Sequence, residues 1–198
     1  MEQLKRAIQD IESKISTDTV LFFDMDGTLV DTNLANFLSY KKAIQSVTKS
    51  EGDLTYFANQ RLNRSLLRNV MPNLTETEYK RIIQEKELNY KGLLHETKLN
   101  KTVMDILFKY SKTNKTVLVT NCRRDRALTT LNYFGLTGTF SNIFFRVYGE
   151  NQKKINKYVN AISRLGISAS SIIVFENERP EINDAIIAGI NESNILSI

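Results

Sequence analysis

The chain has 198 residues, enough for one domain with a modest insertion, and its 41% apolar and 25% charged residues exclude a disordered or fibrous protein. The net charge of +5 comes from basic residues without a run of about five or six, so a nucleic-acid partner is not expected and an anionic small molecule suits the charge better. The single cysteine, Cys122, excludes an internal disulfide and a multi-cysteine zinc site, and without a long apolar run or a signal peptide we expect a cytoplasmic protein with no membrane partner.

The first 30 residues predict a helix followed by a buried strand. Apolar residues recur at helical spacing over 2–16, and Val20–Phe23 is an unbroken apolar run typical of parallel sheets. The run leads into Asp24-Met25-Asp26-Gly27, where side chains two positions apart can point the same way. One carboxylate of such a pair can act as nucleophile and metal ligand, while the other transfers protons.

Residues 33–98 predict a helical segment inserted after this strand, because apolar side chains recur at helical spacing. Thr75, followed by acidic residues, marks the start of one of these helices. Arg61 lies on a basic helical face and is a candidate contact for an anionic substrate, although a solvated basic face explains it at least as well. Arg123, later in the chain, is an alternative.

After Leu99 strands and helices alternate, which is typical of a parallel sheet with helices on both faces. The expected elements are helices near 101–112, 123–134, 154–165 and from Glu181, and strands at 116–120, 143–147 and 171–175. The predicted fold is therefore α/β, with a core formed by 1–30 (1–17 being the N-terminal helix) and 100–198.

This half contains two polar segments, one at the end of a predicted strand and one at the start of a predicted helix. Open parallel sheets bind ligands at this edge. Thr120 and Asn121 end a strand and offer hydroxyl and amide donors for phosphate oxygens. Lys153 and Lys154 precede a helix, where a lysine could neutralise an attacking carboxylate and a transferring phosphate. Taken alone, a solvated surface pair is the simpler interpretation of these lysines.

A further segment places Glu176, Asn177 and Glu181 after the apolar run 171–175 and just ahead of a helix. Oxygen ligands of this type suit a hard divalent cation such as Mg²⁺. Together with the first acidic turn, the segment predicts a magnesium site at the carboxyl edge of the sheet.

In this order the segments resemble the motifs of the haloacid dehalogenase superfamily, in the phosphatase branch that includes phosphoglycolate phosphatases and β-phosphoglucomutase-like proteins. The likeness runs from Leu21 to Ile190, and its most specific piece is DMDGTLVDT. VLVTNCRRDRALTTLNYFGL and LGISASSIIVFENERPEINDAIIAGI resemble the second and fourth motifs. The resemblance implies a Rossmann-like core, and the insertion at 33–98 resembles the family's all-helical cap.

The resemblance also implies a Mg²⁺-dependent phosphatase that hydrolyses a small phosphorylated metabolite. Asp24 would be the nucleophile that becomes an aspartyl-phosphate, and Asp26 would protonate the leaving group and then activate water. The other implied roles are phosphate binding by Thr120 and Asn121, charge balance by Lys154 or Lys153, Mg²⁺ ligation by Asp24, Asp26, Glu176, Asn177 and Glu181, and substrate contact by Arg61 or Arg123.

The sequence departs from the family pattern at two places. Relatives most often carry aspartate where this chain has Asn177, which ligates through its carbonyl without a negative charge, so we expect weak Mg²⁺ binding. A relative that has lost catalysis but still binds a phosphorylated ligand or a partner protein is the alternative. Counting back from Asn177 places the motif's lysine at Gln152, whereas the local sequence favours Lys154. Both a monomer and a homodimer are compatible with the sequence.

Overall fold

The computed structural model describes residues 2–49, 54–57, 61–150 and 153–198, so Gln152 lies outside the described residues. The chain divides into two compact units. The larger unit comprises Met1–Val30 and Leu99–Ile198, and the smaller unit is Asp31–Lys98.

Helices and strands alternate through the larger unit, whereas the described elements of the smaller unit are almost all helices. In chain order they are α1 (Glu2–Glu12), β1 (Val20–Phe23), β2 (Val30–Asp31), α2 (Asn33–Thr48), α3 (Arg64–Val70), α4 (Glu76–Lys91), β3 (Lys98–Leu99), α5 (Lys101–Tyr110), β4 (Lys115–Val119), α6 (Arg124–Tyr133), β5 (Asn142–Phe144), α7 (Lys157–Leu165), β6 (Ile172–Glu176), α8 (Arg179–Ile187) and β7 (Ile195–Ser197). Short 3₁₀ turns lie at Leu94–Glu96, Ala169–Ser171 and Glu192–Asn194.

The larger unit is built on a five-stranded sheet in the order β5-β4-β1-β6-β7, in which every pair is parallel. Its central strand β1 is buried on both faces: Leu21 and Phe23 belong to one apolar cluster, Val20 and Phe22 to another. The first cluster includes residues of α1, α5 and α6, and the second includes residues of α7 and α8. Burial of each such side chain stabilises the fold by about 1.5–3 kcal/mol. The predicted α/β class is confirmed.

Strand register brings the ends of three strands to one edge of the sheet. Phe23, the last residue of β1, pairs with Leu118 on one side and Phe175 on the other. Asp24 continues this pairing, because its backbone N–H donates to the carbonyl of Phe175 at 3.1 Å. The residues that follow β1, β4 and β6 are therefore neighbours in space although they are far apart in the chain.

The smaller unit packs α2 against α4 around an apolar cluster that includes Phe37, Ile44 and Ile82. Helix α4 begins after Thr75, as predicted, with a capping box in which Thr75 and Glu78 satisfy each other's backbone N–H groups.

Several elements differ from the sequence prediction. Helix α1 ends at Glu12 rather than 16, β5 is only three residues long, and α7 begins at Lys157 rather than 154. The two-residue strands β2 and β3, which pair with each other, and the strand β7 were not predicted. Within the described residues, no helix combines the length and apolar character that crossing a bilayer requires.

Candidate active site

A tight turn after β1 holds two carboxylates at the carboxyl edge of the sheet. Asp24 and Asp26 are 6% and 9% exposed. The turn closes through backbone bonds, with the N–H of Gly27 donating to the carbonyl of Val30 at 2.8 Å. Gly27 has φ +94°, and a Cβ there would lie 2.4 Å from Nδ2 of Asn177. Only glycine allows this backbone shape and this close approach of the loop after β6.

The lysine that contacts Asp24 is Lys157. Its Nζ donates to Oδ1 of Asp24 and to Oε2 of Glu176, both at 2.7 Å, and its side chain is only 2% exposed. Lys154, which the sequence favoured for this role, instead donates to Oε1 of Glu181 at 3.1 Å and is 42% exposed. Lys153 is exposed.

The local cause of this difference is the start of α7. The side chain of Asn156 accepts from the backbone N–H groups of Tyr158 and Val159, which makes it the N-cap. Lys157 is therefore the first helical residue, and the helix places it beside the buried strand ends. Residues 153–155 lie before the helix, where Lys154 forms an isolated antiparallel bridge with Tyr148.

Glu176 is fully buried, and both of its carboxylate oxygens accept hydrogen bonds from other groups of the protein. Oε1 accepts from the backbone N–H groups of Asn177 and Glu178, at 3.0 and 3.1 Å. Oε2 accepts from Lys157 and from the hydroxyl of Tyr158, both at 2.7 Å. A carboxylate has about four lone-pair sites, and these bonds use them. The structure thus places Glu176 as the partner of Lys157, and its role as a Mg²⁺ ligand, which the family resemblance implied, stays a prediction.

Burial and neighbouring charges perturb this cluster. Burial and the carboxylate of Glu176 raise the pKa of Asp24 well above its usual value, and the contact with Lys157 opposes them. Burial alone would lower the pKa of Lys157, but the attraction of Asp24 and Glu176 outweighs it and raises that pKa well above its ordinary value. Burial, with Glu176 nearby, likewise raises the pKa of Tyr158. The raised pKa favours the cationic form of Lys157, whereas its contact does not fully compensate the charge on Asp24.

Thr120 and Asn121 follow β4 at the same edge of the sheet. The Thr120 hydroxyl oxygen accepts from the backbone N–H of Cys122 at 3.0 Å, so its O–H can be donated to a phosphoryl oxygen. The amide of Asn121 instead donates to Oε2 of Glu181 at 2.5 Å. Glu181, expected as a Mg²⁺ ligand, therefore joins this amide to Lys154.

The remaining predicted Mg²⁺ ligands lie on or against the first turn. The carboxylate of Asp24 and the backbone carbonyl of Asp26 belong to it, and Oδ1 of Asn177 accepts from the hydroxyl of Thr28 at 2.9 Å. An amide oxygen has a second lone pair for a cation. Oδ1 of Asn121, also at this edge, is buried without a hydrogen-bond partner among the described residues.

These oxygen donors fit Mg²⁺, with a lower negative charge than a set of carboxylates would supply. The described residues contain no group of three or more His, Cys, Asp or Glu side chains that could hold a metal ion. This result agrees with an asparagine at position 177 and with Glu176 being directed at Lys157.

Asp26 has a cationic partner that the sequence analysis did not predict. Nη2 of Arg126, in α6, donates to Oδ2 of Asp26 at 2.8 Å. Nothing local in the sequence indicated this pair, because its members are 100 positions apart. A signal for Lys157 was present, since Asn156 is a stronger N-cap residue than those at 152–154.

The two arginines proposed to contact substrate belong to different units of the chain. Arg123 is exposed at the N-cap of α6. In the smaller unit, Nη1 of Arg61 donates to Oγ1 of Thr32 at 3.0 Å. The same unit buries Lys86, whose Nζ lies 5.3 and 5.6 Å from the ring centroids of Tyr40 and Tyr90.

The parallel sheet with an acidic turn after its central strand, a buried lysine and a helical insertion defines a haloacid dehalogenase-like hydrolase. The model of that family, described as "Haloacid dehalogenase-like hydrolase", matches residues 21–194, and the chain belongs to it.

Individual relatives agree with this assignment. A phosphorylated carbohydrates phosphatase from Thermotoga maritima is 29% identical over 181 residues, covering 86% of this chain and 81% of the relative. A haloacid dehalogenase-like family hydrolase from Streptococcus pneumoniae has a TM-score of 0.68 at 17% identity, with 89% and 84% of the two chains covered. A structure described as a predicted phosphoglycolate phosphatase from Haemophilus somnus has a TM-score of 0.68 at 21% identity, with 93% and 90% covered. At these identities the two structures establish the fold.

Proposed function

We propose that this hydrolase is a phosphatase that cleaves a small phosphomonoester through an aspartyl-phosphate on Asp24. The observation that carries the proposal is the contact between the buried Asp24 carboxylate and Lys157 at 2.7 Å, beside the hydroxyl-bearing end of β4. A carboxylate approaching a phosphate is repelled unless cations and fixed donors offset the charge, and Lys157 and Thr120 are of these kinds.

The chain's own residues divide the reaction into two steps. In the first, a carboxylate oxygen of Asp24 bonds to phosphorus, the bond from phosphorus to the leaving oxygen breaks, and Asp26 gives that oxygen a proton. In the second, Asp26 takes a proton from water, whose oxygen attacks phosphorus and releases Asp24. Thr120 donates to a phosphoryl oxygen, and Glu176 with Tyr158 holds Lys157 in place.

Mg²⁺ completes the site in this proposal. Asp24, the carbonyl of Asp26 and the amide oxygen of Asn177 would hold it, and when bound it supplies positive charge that offsets the carboxylate and the phosphate. Because Asn177 is neutral and Glu176 is engaged with Lys157, we expect the ion to bind weakly.

The substrate class rests on the comparison with relatives. The name of the Thermotoga maritima relative refers to phosphorylated carbohydrates, and a small phosphorylated metabolite also suits the net charge of +5. We therefore place sugar phosphates first among the candidates, with other small phosphomonoesters after them.

The test is phosphate release from a panel of sugar phosphates, phosphoglycolate, nucleoside monophosphates and pyrophosphate, with Mg²⁺ and with EDTA. Wild-type protein is compared with Asp24→Asn and with Asp105→Asn, which alters a 63% exposed aspartate paired with Lys101. The proposal expects Mg²⁺-dependent turnover that only Asp24→Asn abolishes. Turnover that survives Asp24→Asn would refute the aspartyl-phosphate mechanism.

A catalytically weakened protein that binds a phosphorylated ligand or partner protein is the second candidate. The asparagine at 177 and the saturated hydrogen bonding of Glu176 favour it, because both reduce the charge available to Mg²⁺. Isothermal titration with the same panel separates the two candidates. Tight binding by a folded protein that releases no phosphate at high Mg²⁺ would support the second.

A further inference from the structure

Arg126 connects the carboxylate of Asp26 to the loop that follows β4. Its Nη2 donates to Oδ2 of Asp26 at 2.8 Å, and its Nε lies 2.8 Å from Sγ of Cys122. The side chains of the ion pair are only 12% and 11% exposed. A guanidinium presents its donors in a rigid planar fork, so contacts on two sides fix both its position and its orientation.

The contact with Arg126 restrains the orientation of the Asp26 carboxyl group. Backbone bonds fix the turn itself, since the N–H groups of Leu29 and Val30 both donate to the carbonyl of Met25. These bonds do not restrain the side-chain torsions of Asp26. A carboxylic acid still accepts a hydrogen bond at one oxygen while the other carries the proton. Arg126, by engaging Oδ2 at 2.8 Å, therefore limits the orientations that the Asp26 carboxyl group can take.

We propose that Arg126 is a positioning residue that holds the Asp26 carboxyl group in the orientation from which it protonates the leaving group. The inference rests on the proposed function, because it concerns the first of its two steps. In that step the bond between phosphorus and the leaving oxygen breaks, and a proton moves from the carboxyl group of Asp26 to that oxygen. Proton transfer needs a separation of about 2.6–3.2 Å between the two oxygens, so a carboxyl group that rotates away loses most of its effect.

The experiment compares two leaving groups. p-Nitrophenolate departs as a stable anion without a proton, whereas an alkoxide requires one, and kcat/KM reports only the steps up to that departure. We would measure kcat/KM for p-nitrophenyl phosphate and for the best alkyl phosphate of the panel. The variants are Arg126→Gln, Arg126→Lys and Asp26→Asn, with Arg6→Gln as control because Arg6 is 75% exposed and paired with Glu2 on the surface.

We expect Arg126→Gln to lower kcat/KM by about 100-fold for the alkyl phosphate and by less than about 5-fold for p-nitrophenyl phosphate. Arg126→Lys keeps a cation without the fork and is expected to restore part of the loss. Asp26→Asn should show the same dependence on the leaving group. In a double variant with Asp26→Asn, Arg126→Gln should cost nothing further, because its effect passes through Asp26.

Equal losses on both substrates would overturn the inference, since they would mean that Arg126 acts on the phosphoryl group or on folding. Unchanged kcat/KM would overturn it as well. If Arg126→Gln does not fold, Arg126→Lys decides the matter by the same ratio of losses. Wild-type protein without Asp24-dependent turnover would instead refute the proposed function, and this inference with it.

Discussion

Lys157→Met is the substitution for which the structure gives the sharpest expectation. It removes a cation that is 2% exposed and leaves the carboxylates of Asp24 and Glu176 buried without their partner. Breaking a buried ion pair from one side costs about 3–5 kcal/mol. At about 2–4 °C per kcal/mol for a domain of this size, Tm should fall by roughly 6–20 °C. Phosphate release should fall by at least about 100-fold, because the charge opposing the attack of Asp24 is lost.

The matched control is Lys154→Met, three positions earlier in the chain. Lys154 is 42% exposed and pairs with Glu181 at 3.1 Å, so the loss should be below about 1 kcal/mol and turnover should be nearly unchanged. Thermal unfolding by circular dichroism and phosphate release measure the two effects. A Lys157→Met protein with wild-type Tm and turnover, or a Lys154→Met protein that loses turnover, would refute the reasoning.

The same carboxylates give a dependence on pH. Removal of Lys157 raises the pKa of Asp24 further above its unfolded value. A carboxyl group whose pKa is higher in the folded state than in the unfolded state destabilises the folded protein as pH rises above the unfolded pKa of about 4. The difference in Tm between wild type and Lys157→Met should therefore be large at neutral pH and shrink as pH falls toward that value. A difference that grows in acid would contradict the assignment.

Three further predictions follow from the site. Asp24→Asn should raise Tm at pH 7 in EDTA, because burial and Glu176 hold the pKa of Asp24 above its ordinary value. This gain in Tm should vanish near pH 4, and a lower Tm at pH 7 would contradict the prediction. Asn177→Asp should lower the Mg²⁺ concentration for half-maximal activity by about tenfold, and an unchanged titration would exclude residue 177 as a ligand. Gly27→Ala should destabilise by at least about 1–3 kcal/mol in chemical denaturation, against no more than about 1 kcal/mol for Gly138→Ala, whose added Cβ meets nothing within 4 Å.

The backbone of the site was predictable because it depends on local signals. The apolar run Val20–Phe23 specified a strand buried on both faces, and the acidic turn after it required a glycine. Thr75 with Glu78 specified the start of α4 through a capping box. By contrast, β7 was missed because its three residues, Ile195–Ser197, are too few to show a periodic pattern.

The side-chain partners of the site were less predictable. The lysine could have been placed by weighing Asn156 as the N-cap, which starts α7 at Lys157, but the sequence alone gave no reason to bury that lysine. The sequence also did not predict which group the Glu176 carboxylate contacts, because a carboxylate at the end of a strand can contact either a metal ion or a lysine. The partners of Glu176 are Lys157 and Tyr158, which reach its carboxylate only when α7 packs on the sheet.

The sequence by itself determined the order along the chain of the main helices and of strands β1, β4, β5 and β6, the acidic turn at the end of β1, and the resemblance that indicated the hydrolase family. Only the tertiary structure decided which charges meet: Lys157 with Asp24 across 133 positions, and Arg126 with Asp26 across 100. The physical reason is that strands and turns are encoded by neighbours in the chain. A buried ion pair is selected instead by desolvation and geometry among groups that the fold alone brings together.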